Sequence, residues 1–267
     1  MKNKVIIITG ASSGIGKACA WAFVQSGAKV VLAARQLEKL TATTEELKSA
    51  GFEVIAIQAD VSKEEDCQRL ISDTITAYQQ LDILINNAGI SMRATLEEMD
   101  VDVIRKVMDV NFYGAVYCTK YALPYLLKNK GSVVGVSSIA GYKGLPGRTG
   151  YSASKFAMHG FLEALRLENL QKGLHVLIAC PGFTASNIRN TALGKDGGMQ
   201  GESPREEQKM MQPEKVAQHI LKAVAKRQNS LVLTSNGKLT VFLNKFFPKL
   251  VDKLVFNHMK KEPNSPF

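Results

Sequence analysis

The chain has 267 residues, of which 45% are hydrophobic, and this length fits one larger α/β domain with a substantial core. Its formal charge of +10 indicates anionic partners such as a phosphorylated cofactor or a lipid surface, but no Lys/Arg run typical of nucleic-acid binding occurs. Its four cysteines and four histidines lack ligand spacing, which excludes a disulfide framework and a metal site from our prediction.

Short apolar runs of strand length alternate with amphipathic stretches of helix length along the chain. This alternation predicts an α/β fold, a doubly wound parallel seven-stranded sheet flanked by helices on both faces. The first run is too short for a signal peptide or a membrane span, so we expect a cytoplasmic protein. The predicted strands are 5–8, 29–33, 54–57, 83–85, 133–136, 176–179 and 231–233.

A glycine-rich loop follows the first strand and begins the first predicted helix. Gly10, Gly14 and Gly16 allow a tight turn and a close approach of the backbone to a ligand, and a helix N-terminus offers free N–H groups. Glycine could serve helix packing alone, but the position between strand and helix predicts a dinucleotide pyrophosphate site. The other loop residues predicted to contact the cofactor are Ser12, Ser13, Ile15 and Lys17.

Arg35 ends the second strand, where a cofactor with a free ribose 2′-hydroxyl calls for Asp or Glu. With Lys17 and Ser12 or Ser13 nearby, its guanidinium can bind a 2′-phosphate. The sequence therefore favours NADP(H) over NAD(H). The alternative is that Arg35 is only a solvated strand end.

Tyr151 and Lys155 lie four residues apart in a predicted helix that follows the serine pair Ser137 and Ser138. This spacing places the phenol and the ammonium on one face of the helix. A phenol beside a fixed cation ionises more easily, so the pair is suited to proton transfer closer to neutral pH. An ordinary helical pair would have the same spacing.

These features belong to a set of motifs that occur in a fixed order. The set comprises TGASSGIG at 9–16, Asn86-Asn87-Ala88-Gly89, Asn111, Ser138, Tyr151, Lys155 and Pro181-Gly182. With this set the chain resembles a short-chain dehydrogenase/reductase of the NADP-preferring kind, with a Rossmann fold that extends to about residue 234. The resemblance implies hydride transfer between nicotinamide carbon four and a carbonyl or alcohol carbon.

The resemblance implies a role for each of four catalytic residues. Tyr151 is the general acid or base, and Ser138 donates a hydrogen bond to the same substrate oxygen. Lys155 binds the nicotinamide ribose and depresses the pKa of the tyrosine. Asn111 positions a water that links Lys155 to solvent. Each of these polar residues, taken singly, could instead make a local cap or turn bond.

Further cofactor contacts are implied in the same way. Asp60 accepts from the adenine amino group, with Val61 beside it, although a turn role for Asp60 is equally consistent. The backbone at Pro181 and Gly182 runs beside the nicotinamide. The remaining implied contacts are Asn86, Ala88 and Gly89, which flank the adenosine ribose, together with Asn87, Thr184 near the carboxamide, and Ser186, where many family members have threonine.

The predicted substrate lining is apolar, with few charges, and comprises Ile90, Met92, Ala140, Tyr142, Leu145, Phe183 and Met199. Such a lining predicts a hydrophobic ketone or aldehyde, steroid-like or lipid-like, in contact with Ser138, Tyr142 and Tyr151. One alternative is reduction of a carrier-bound β-ketoacyl thioester. A basic patch around the pocket mouth would support this alternative. Another is a cofactor-binding regulatory protein without turnover.

Two segments fall outside the motifs. Residues 187–212, rich in Gly, Lys, Glu, Ser and Met, predict a mobile segment that is either a solvated loop or a substrate lid. The second segment is a C-terminal helical extension, 237–267, of the Rossmann-type domain, 1–236. Pro248 is expected to divide this extension into two short helices.

The extension carries apolar residues and lysines at near-helical spacing, and its pattern is similar to that of the branch with steroid, retinoid and lipid-modifying reductases. It predicts either packing with a subunit contact or peripheral contact with an anionic membrane. The family resemblance itself implies a homodimer or homotetramer.

Overall fold

The seven apolar runs form one parallel sheet in the computed structural model, which describes residues 1–267. All seven predicted strands are confirmed, with ends within one residue of the prediction. Their bounds are β1 (Val5–Thr9), β2 (Lys29–Ala34), β3 (Val54–Gln58), β4 (Ile83–Asn86), β5 (Ser132–Val136), β6 (His175–Cys180) and β7 (Ser230–Val232).

Helices cover both faces of the sheet, because strands buried on two sides need an apolar layer on each. The helices are α1 (Gly14–Gln25), α2 (Leu37–Ser49), α3 (Glu64–Tyr78), α4 (Val101–Met108), α5 (Gly114–Lys128), α6 (Thr149–Glu168), α7 (Pro213–Ala225), α8 (Ser235–Phe246) and α9 (Pro248–Met259).

Alternate residues of each strand pack into opposite layers. In β5, Val134 joins the layer that contains Phe23 of α1, and Val133 joins the layer that contains Leu162 of α6. All four of these side chains are fully buried. The side-chain alternation of the strands thus divides the core into two halves with the sheet between them.

The strand order β3-β2-β1-β4-β5-β6-β7 reverses direction between β1 and β4. In an open α/β sheet, a crevice forms at this point beyond the carboxyl ends of the strands. The loop after β1 and the segment after β4 approach each other there. Gly10 has a φ of +64°, and a Cβ at this position would lie 2.8 Å from the Cα of Ala88.

The C-terminal part of the chain packs around this crevice. Pro248 begins α9 as expected, with one residue between it and the end of α8, and we refer to these two consecutive helices as the α8–α9 hairpin. Residues 187–212 contain one 3₁₀ turn, Glu207–Lys209, and are joined to the rest by bridges such as Met92 to Leu193. The mobility of this segment stays a prediction. None of the helices has both the length and the apolar character that a membrane crossing requires.

Candidate active site

One cavity of about 1370 Å³ extends along the carboxyl ends of the strands. The glycine-rich loop lines one end, Ser138, Tyr151 and Lys155 line the middle, and the α8–α9 hairpin lines the other end. Ligand pockets usually measure about 300–1,000 Å³, so this cavity has room for a dinucleotide and a second molecule.

The loop after β1 has the geometry of an anion-binding site. Helix α1 begins after Ser13, whose side chain makes no capping bond, so the first N–H groups of the helix are available to a phosphate. Asn87 fixes the loop by donating from Nδ2 to the carbonyl of Thr9 at 2.9 Å and to that of Gly10 at 3.2 Å. A Cβ on Gly16 would lie 2.2 Å from the Gly10 carbonyl oxygen, so this packing requires glycine.

Ser12, Ser13, Gly14 and Ile15 line the cavity beside this loop. These residues fit a dinucleotide pyrophosphate, since they combine a backbone cradle with the positive end of a helix dipole. Gly16 does not line the cavity and acts through loop packing.

The cations near the end of β2 differ from those predicted. Arg35 lines the cavity, with its side chain 61% exposed and its Nη1 3.8 Å from Asp60 Oδ2. Lys17 does not line the cavity, because its Nζ pairs with Glu46 of α2 at 2.7 Å. Lys39 lines it instead. The sequence could have indicated Lys39, because this residue lies in the first turn of the helix that follows β2.

Asp60, Val61, Asn87, Ala88 and Gly89 all line the adjoining wall of the cavity. Asp60 also has the turn role that the sequence left open. Its Oδ1 accepts from the backbone N–H of Ser62 at 3.1 Å and from the Ser62 hydroxyl at 2.7 Å.

Tyr151 and Lys155 face the middle of the cavity from α6. The Nζ of Lys155 lies 5.7 Å from the centroid of the Tyr151 ring and donates to the carbonyl of Val136 at 3.0 Å. Ser138 begins the short turn after β5, where its hydroxyl accepts from the N–H of Ala140 at 3.2 Å. The hydroxyl of Ser137 lies 2.8 Å from His159 Nε2, so the neighbouring serine is occupied elsewhere.

Asn111 lies behind this group in a π-helical turn, Asp109–Tyr113, that the sequence did not predict. Its buried carboxamide accepts from the N–H of Ile90 at 2.8 Å and donates to the Ile90 carbonyl at 2.9 Å and to Ser154 Oγ at 3.0 Å. The Ser154 hydroxyl donates in turn to the carbonyl of Tyr151 at 2.7 Å. Asn111 therefore joins the segment after β4 to α6, and its implied water-positioning role stays a prediction.

The protonation equilibria at the site are governed by burial. Burial raises the pKa of Tyr151, while hydrogen bonding by Ser138 and the charges of Arg148 and Arg189 act in the opposite direction. Burial also lowers the pKa of Lys155 to about 8. The pKa of Tyr151 thus moves opposite to the sequence-based prediction, because loss of water outweighs the hydrogen bond with Ser138 and the charges of Arg148 and Arg189.

Pro181, Gly182, Thr184 and Ser186 line the cavity after β6, as the family motifs imply. A Cβ on Gly182 would lie 2.5 Å from Thr234 Oγ1. The backbone N–H of Ser186 donates to Glu207 at 3.0 Å, which ties this segment to the following loop.

The predicted substrate lining is only partly correct. Ile90, Leu145, Phe183 and Met199 line the cavity, whereas Met92 and Ala140 are buried behind it. Tyr142, predicted as a substrate contact, does not line the cavity. It follows the turn Ile139–Gly141 and packs edge-on against His159 of α6, with ring centroids 4.6 Å apart.

The prediction of few charges is wrong. Arg148, Arg189 and Arg205 all line the cavity. Sequence reasoning missed them because they lie far apart along the chain and only the fold brings them together.

The α8–α9 hairpin supplies apolar cavity wall and also exposes apolar surface. Leu239 and Leu254 line the cavity and are 56% and 52% exposed. The other exposed large apolar side chains of the hairpin are Phe242, Phe246, Phe247, Leu250 and Phe256. Lys238, Lys245, Lys249, Lys253 and Lys260 are exposed on or directly after the same hairpin.

Comparison with known proteins gives consistent matches over this fold. The family model described as short chain dehydrogenase matches residues 4–196. "Dehydrogenase/reductase SDR family member 7B" of Mus musculus is 32% identical over 271 residues, which cover 99% of this chain and 84% of that protein. "11-beta-hydroxysteroid dehydrogenase A" of Sesamum indicum is 40% identical over 188 residues, which cover 70% of this chain and 54% of that protein.

Among solved structures, a short chain dehydrogenase/reductase from Burkholderia phymatum in complex with NAD is similar over the whole fold. The TM-score is 0.83 at 27% identity, with 93% of this chain and 95% of that chain covered.

The pKa of Lys155 leads to a prediction about stability. Folding lowers this pKa from 10.5 to about 8, so between these values the unfolded chain binds more protons and the free energy of unfolding rises with pH. At about 1.36 kcal/mol per pKa unit, the free energy of unfolding of the wild type should gain roughly 2 kcal/mol relative to Lys155→Met between pH 7 and 9.5. Urea denaturation at both pH values measures the difference.

Lys128→Met, at an exposed lysine of α5, is the matched control and should show no such gain. Equal pH dependence in the wild type and Lys155→Met would mean that Lys155 keeps the ordinary pKa of a solvated lysine.

Proposed function

The chain belongs to the short-chain dehydrogenase/reductase family and to its hydroxysteroid dehydrogenase/reductase branch, and we propose that it is an NADPH-dependent oxidoreductase acting on a hydrophobic carbonyl compound or alcohol. The observation that carries the proposal is the position of Ser138, Tyr151 and Lys155 in one cavity, between a phosphate-binding loop and an apolar hairpin. A bound nicotinamide cofactor supplies or accepts the hydride in this chemistry.

In the direction of reduction, Tyr151 gives its hydroxyl proton to the substrate oxygen, and Ser138 donates a hydrogen bond to the same oxygen as negative charge develops there. The charges of Arg148 and Arg189 act against the rise in the pKa of Tyr151 that burial causes. Lys155, with a pKa of about 8, is mainly charged at neutral pH and binds the ribose hydroxyls. Asn111 fixes α6 against the segment after β4.

The preference for NADPH rests on the residues after β2. Positions 35 and 36 hold Arg and Gln, so neither offers a carboxylate that could accept a hydrogen bond from a ribose 2′-hydroxyl. Lys39 adds a second cation on the cavity wall. The pair between Arg35 and Asp60 is long, at 3.8 Å, so the guanidinium is available to a 2′-phosphate.

The apolar side chains of the α8–α9 hairpin and of the loops support a steroid-like or lipid-like ketone or aldehyde. The carrier-bound thioester alternative gains no support from the cavity mouth. Lys209 pairs with Glu206 at 2.6 Å, and the side chains of Arg148, Arg189 and Arg205 are only 10%, 11% and 16% exposed. The alternative of a regulatory protein without turnover does not explain why Ser138, Tyr151 and Lys155 occur together.

For assembly, we propose a homodimer through the outer faces of α5 and α6. Apolar side chains are exposed there and in the turn before α5, including Tyr113 at 43%, Phe156 at 46% and Leu167 at 67%. Water-exposed apolar surface of this kind is typical of subunit contacts. Light scattering should give a mass of twice 29.2 kDa, and a monomer would contradict the proposal.

Tyr151→Phe tests the proposed reaction. Removing the hydroxyl should lower kcat for NADPH-dependent reduction of a hydrophobic ketone by about 100-fold or more, the usual contribution of a general acid. Binding of NADPH, followed by fluorescence titration, should persist. Tyr125→Phe, on α5 outside the cavity, is the matched control and should keep the wild-type rate. An unchanged rate in Tyr151→Phe would refute the assignment of the proton donor.

Arg35→Asp tests the cofactor. Hydrogen bonds to charged groups contribute about 1.5–3 kcal/mol, so the Kd for NADPH should rise roughly 10- to 100-fold while the Kd for NADH does not rise. Arg105→Asp, at an exposed arginine of α4 that does not line the cavity, should leave both values unchanged. If the wild type binds NADPH and NADH with equal affinity, Arg35 does not bind the 2′-phosphate.

The hairpin leads to a further prediction about membranes. We propose that its exposed phenylalanines and leucines contact an anionic lipid surface while the adjacent lysines bind the headgroups. The protein should sediment with vesicles of phosphatidylcholine and phosphatidylserine, and the triple variant Lys245→Glu/Lys249→Glu/Lys253→Glu should not.

The control variant Lys48→Glu/Lys63→Glu/Lys128→Glu has the same net charge change at exposed lysines outside the hairpin, and should retain binding. Lack of vesicle binding by the intact protein would remove the lipid proposal.

A further inference from the structure

Three arginines converge on one carboxylate at the substrate end of the cavity. Arg205 donates from Nε to Glu262 Oε1 at 2.8 Å, and Arg148 donates from Nη2 to Glu262 Oε2 at 3.2 Å. The Nη2 of Arg93 lies 3.6 Å from the same Oε2. These residues come from the segment after β4, the start of α6, the loop before α7 and the C-terminal tail. We call them the arginine cluster.

The cluster is largely shielded from water and its charges do not balance. The side chains of Arg93, Arg148 and Arg205 are only 9%, 10% and 16% exposed, and that of Glu262 is 5% exposed. One carboxylate therefore faces three guanidinium groups, which leaves two positive charges in excess.

The neighbouring residues do not remove this excess. Arg189 is already paired with Glu207 at 2.6 Å. His258, 3.2 Å from Arg205, has a lowered pKa because of burial and the adjacent cation. Buried charge without a counter-charge is costly, so the cluster is better suited to a protein that binds another anion there.

Part of the cluster faces the cavity with hydrogen-bonding capacity to spare. Arg148 and Arg205 line the cavity, while Arg93 lies behind them. Arg148 uses Nη2 for Glu262, and its other guanidinium N–H groups make no hydrogen bond within the protein. Arg205 uses Nε and Nη2 for Glu262, so that only its Nη1 makes no hydrogen bond within the protein, and its guanidinium carbon lies 3.7 Å from the centroid of the Phe183 ring, another cavity residue. A charged site thus adjoins an apolar wall.

We propose that the substrate carries an anionic group, a carboxylate or a phosphate, in addition to its apolar body, and that Arg148 and Arg205 bind this group. The inference rests on the proposed function for the reacting carbonyl and narrows its substrate class. Guanidinium forks match the planar oxygens of a carboxylate and the oxygens of a phosphate. Glu262 holds the forks in position, and the anion of the substrate balances the remaining charge.

Position along the chain links this site to the reaction. Arg148 precedes Tyr151 by three residues, and its backbone caps the helix that carries Tyr151 and Lys155. Phe183 and Arg205 both lie in the connection between β6 and α7, and both line the cavity. An anionic group held by these arginines would anchor the substrate while its apolar body lies against the α8–α9 hairpin.

Calorimetric titration with decanoate, decyl phosphate and decanol tests the inference without turnover. The three probes share one alkyl chain and differ in the head group. In the wild type, at least one anionic probe should bind at least tenfold more tightly than decanol, and the better of the two identifies carboxylate or phosphate as the natural group. Equal affinity for all three probes would overturn the inference.

Arg205→Gln should weaken binding of the preferred anion at least tenfold and change decanol binding less than threefold. Arg205→Lys keeps the charge and should restore part of the affinity. Arg148→Gln is a second variant in case Arg205→Gln disturbs the tail, and Arg105→Gln on the outer face of α4 is the matched control. If both glutamine variants weaken decanol as much as the anions, the arginines only hold the tail in place.

These outcomes are separable from failure of the proposed function. NADPH-dependent reduction of neutral ketones without a preference for anionic probes would remove only this inference. Anion preference without any NADPH-dependent reduction would remove the proposed reaction and leave the binding site.

Discussion

The buried carboxamide of Asn111 is the contact on which the arrangement of the site depends. It bonds both backbone groups of Ile90 and the hydroxyl of Ser154, and so fixes the segment after β4 against the helix that carries Tyr151 and Lys155. An unpaired buried polar group costs about 1–3 kcal/mol, so these three hydrogen bonds strongly favour one relative position of the two elements. The π-helical turn Asp109–Tyr113 provides the local backbone that directs this side chain inward.

Around this contact, topology and charge determine what the cavity can bind. The reversal of strand order between β1 and β4 opens a crevice where the glycine-rich loop presents unpaired N–H groups. Arg35 and Lys39 stand at one end of the cavity, and Arg148 and Arg205 stand at the other. The excess of positive charge in the sequence is therefore placed in part along the cavity, with the α8–α9 hairpin as its apolar wall.

Local patterns made much of this predictable from the sequence. Strand ends were correct within one residue, because each strand is a buried apolar run between helical stretches. The glycine-rich loop could be placed because its chemistry lies in consecutive residues. Lys39, Tyr142 and the arginine cluster could not be placed, since their positions depend on how distant segments pack. The pKa of Tyr151 was predicted in the wrong direction because burial cannot be read from a four-residue spacing.

The central claim is that the cavity around Tyr151 supports hydride transfer to a carbonyl carbon. The most direct test is to incubate the protein with NADPH that carries two deuterium atoms on nicotinamide carbon four and with a hydrophobic ketone, and to analyse the alcohol by mass spectrometry. We predict one deuterium on the carbinol carbon of the product. An alcohol without deuterium, or no alcohol from any ketone in a panel of neutral and anionic hydrophobic compounds, would contradict the claim.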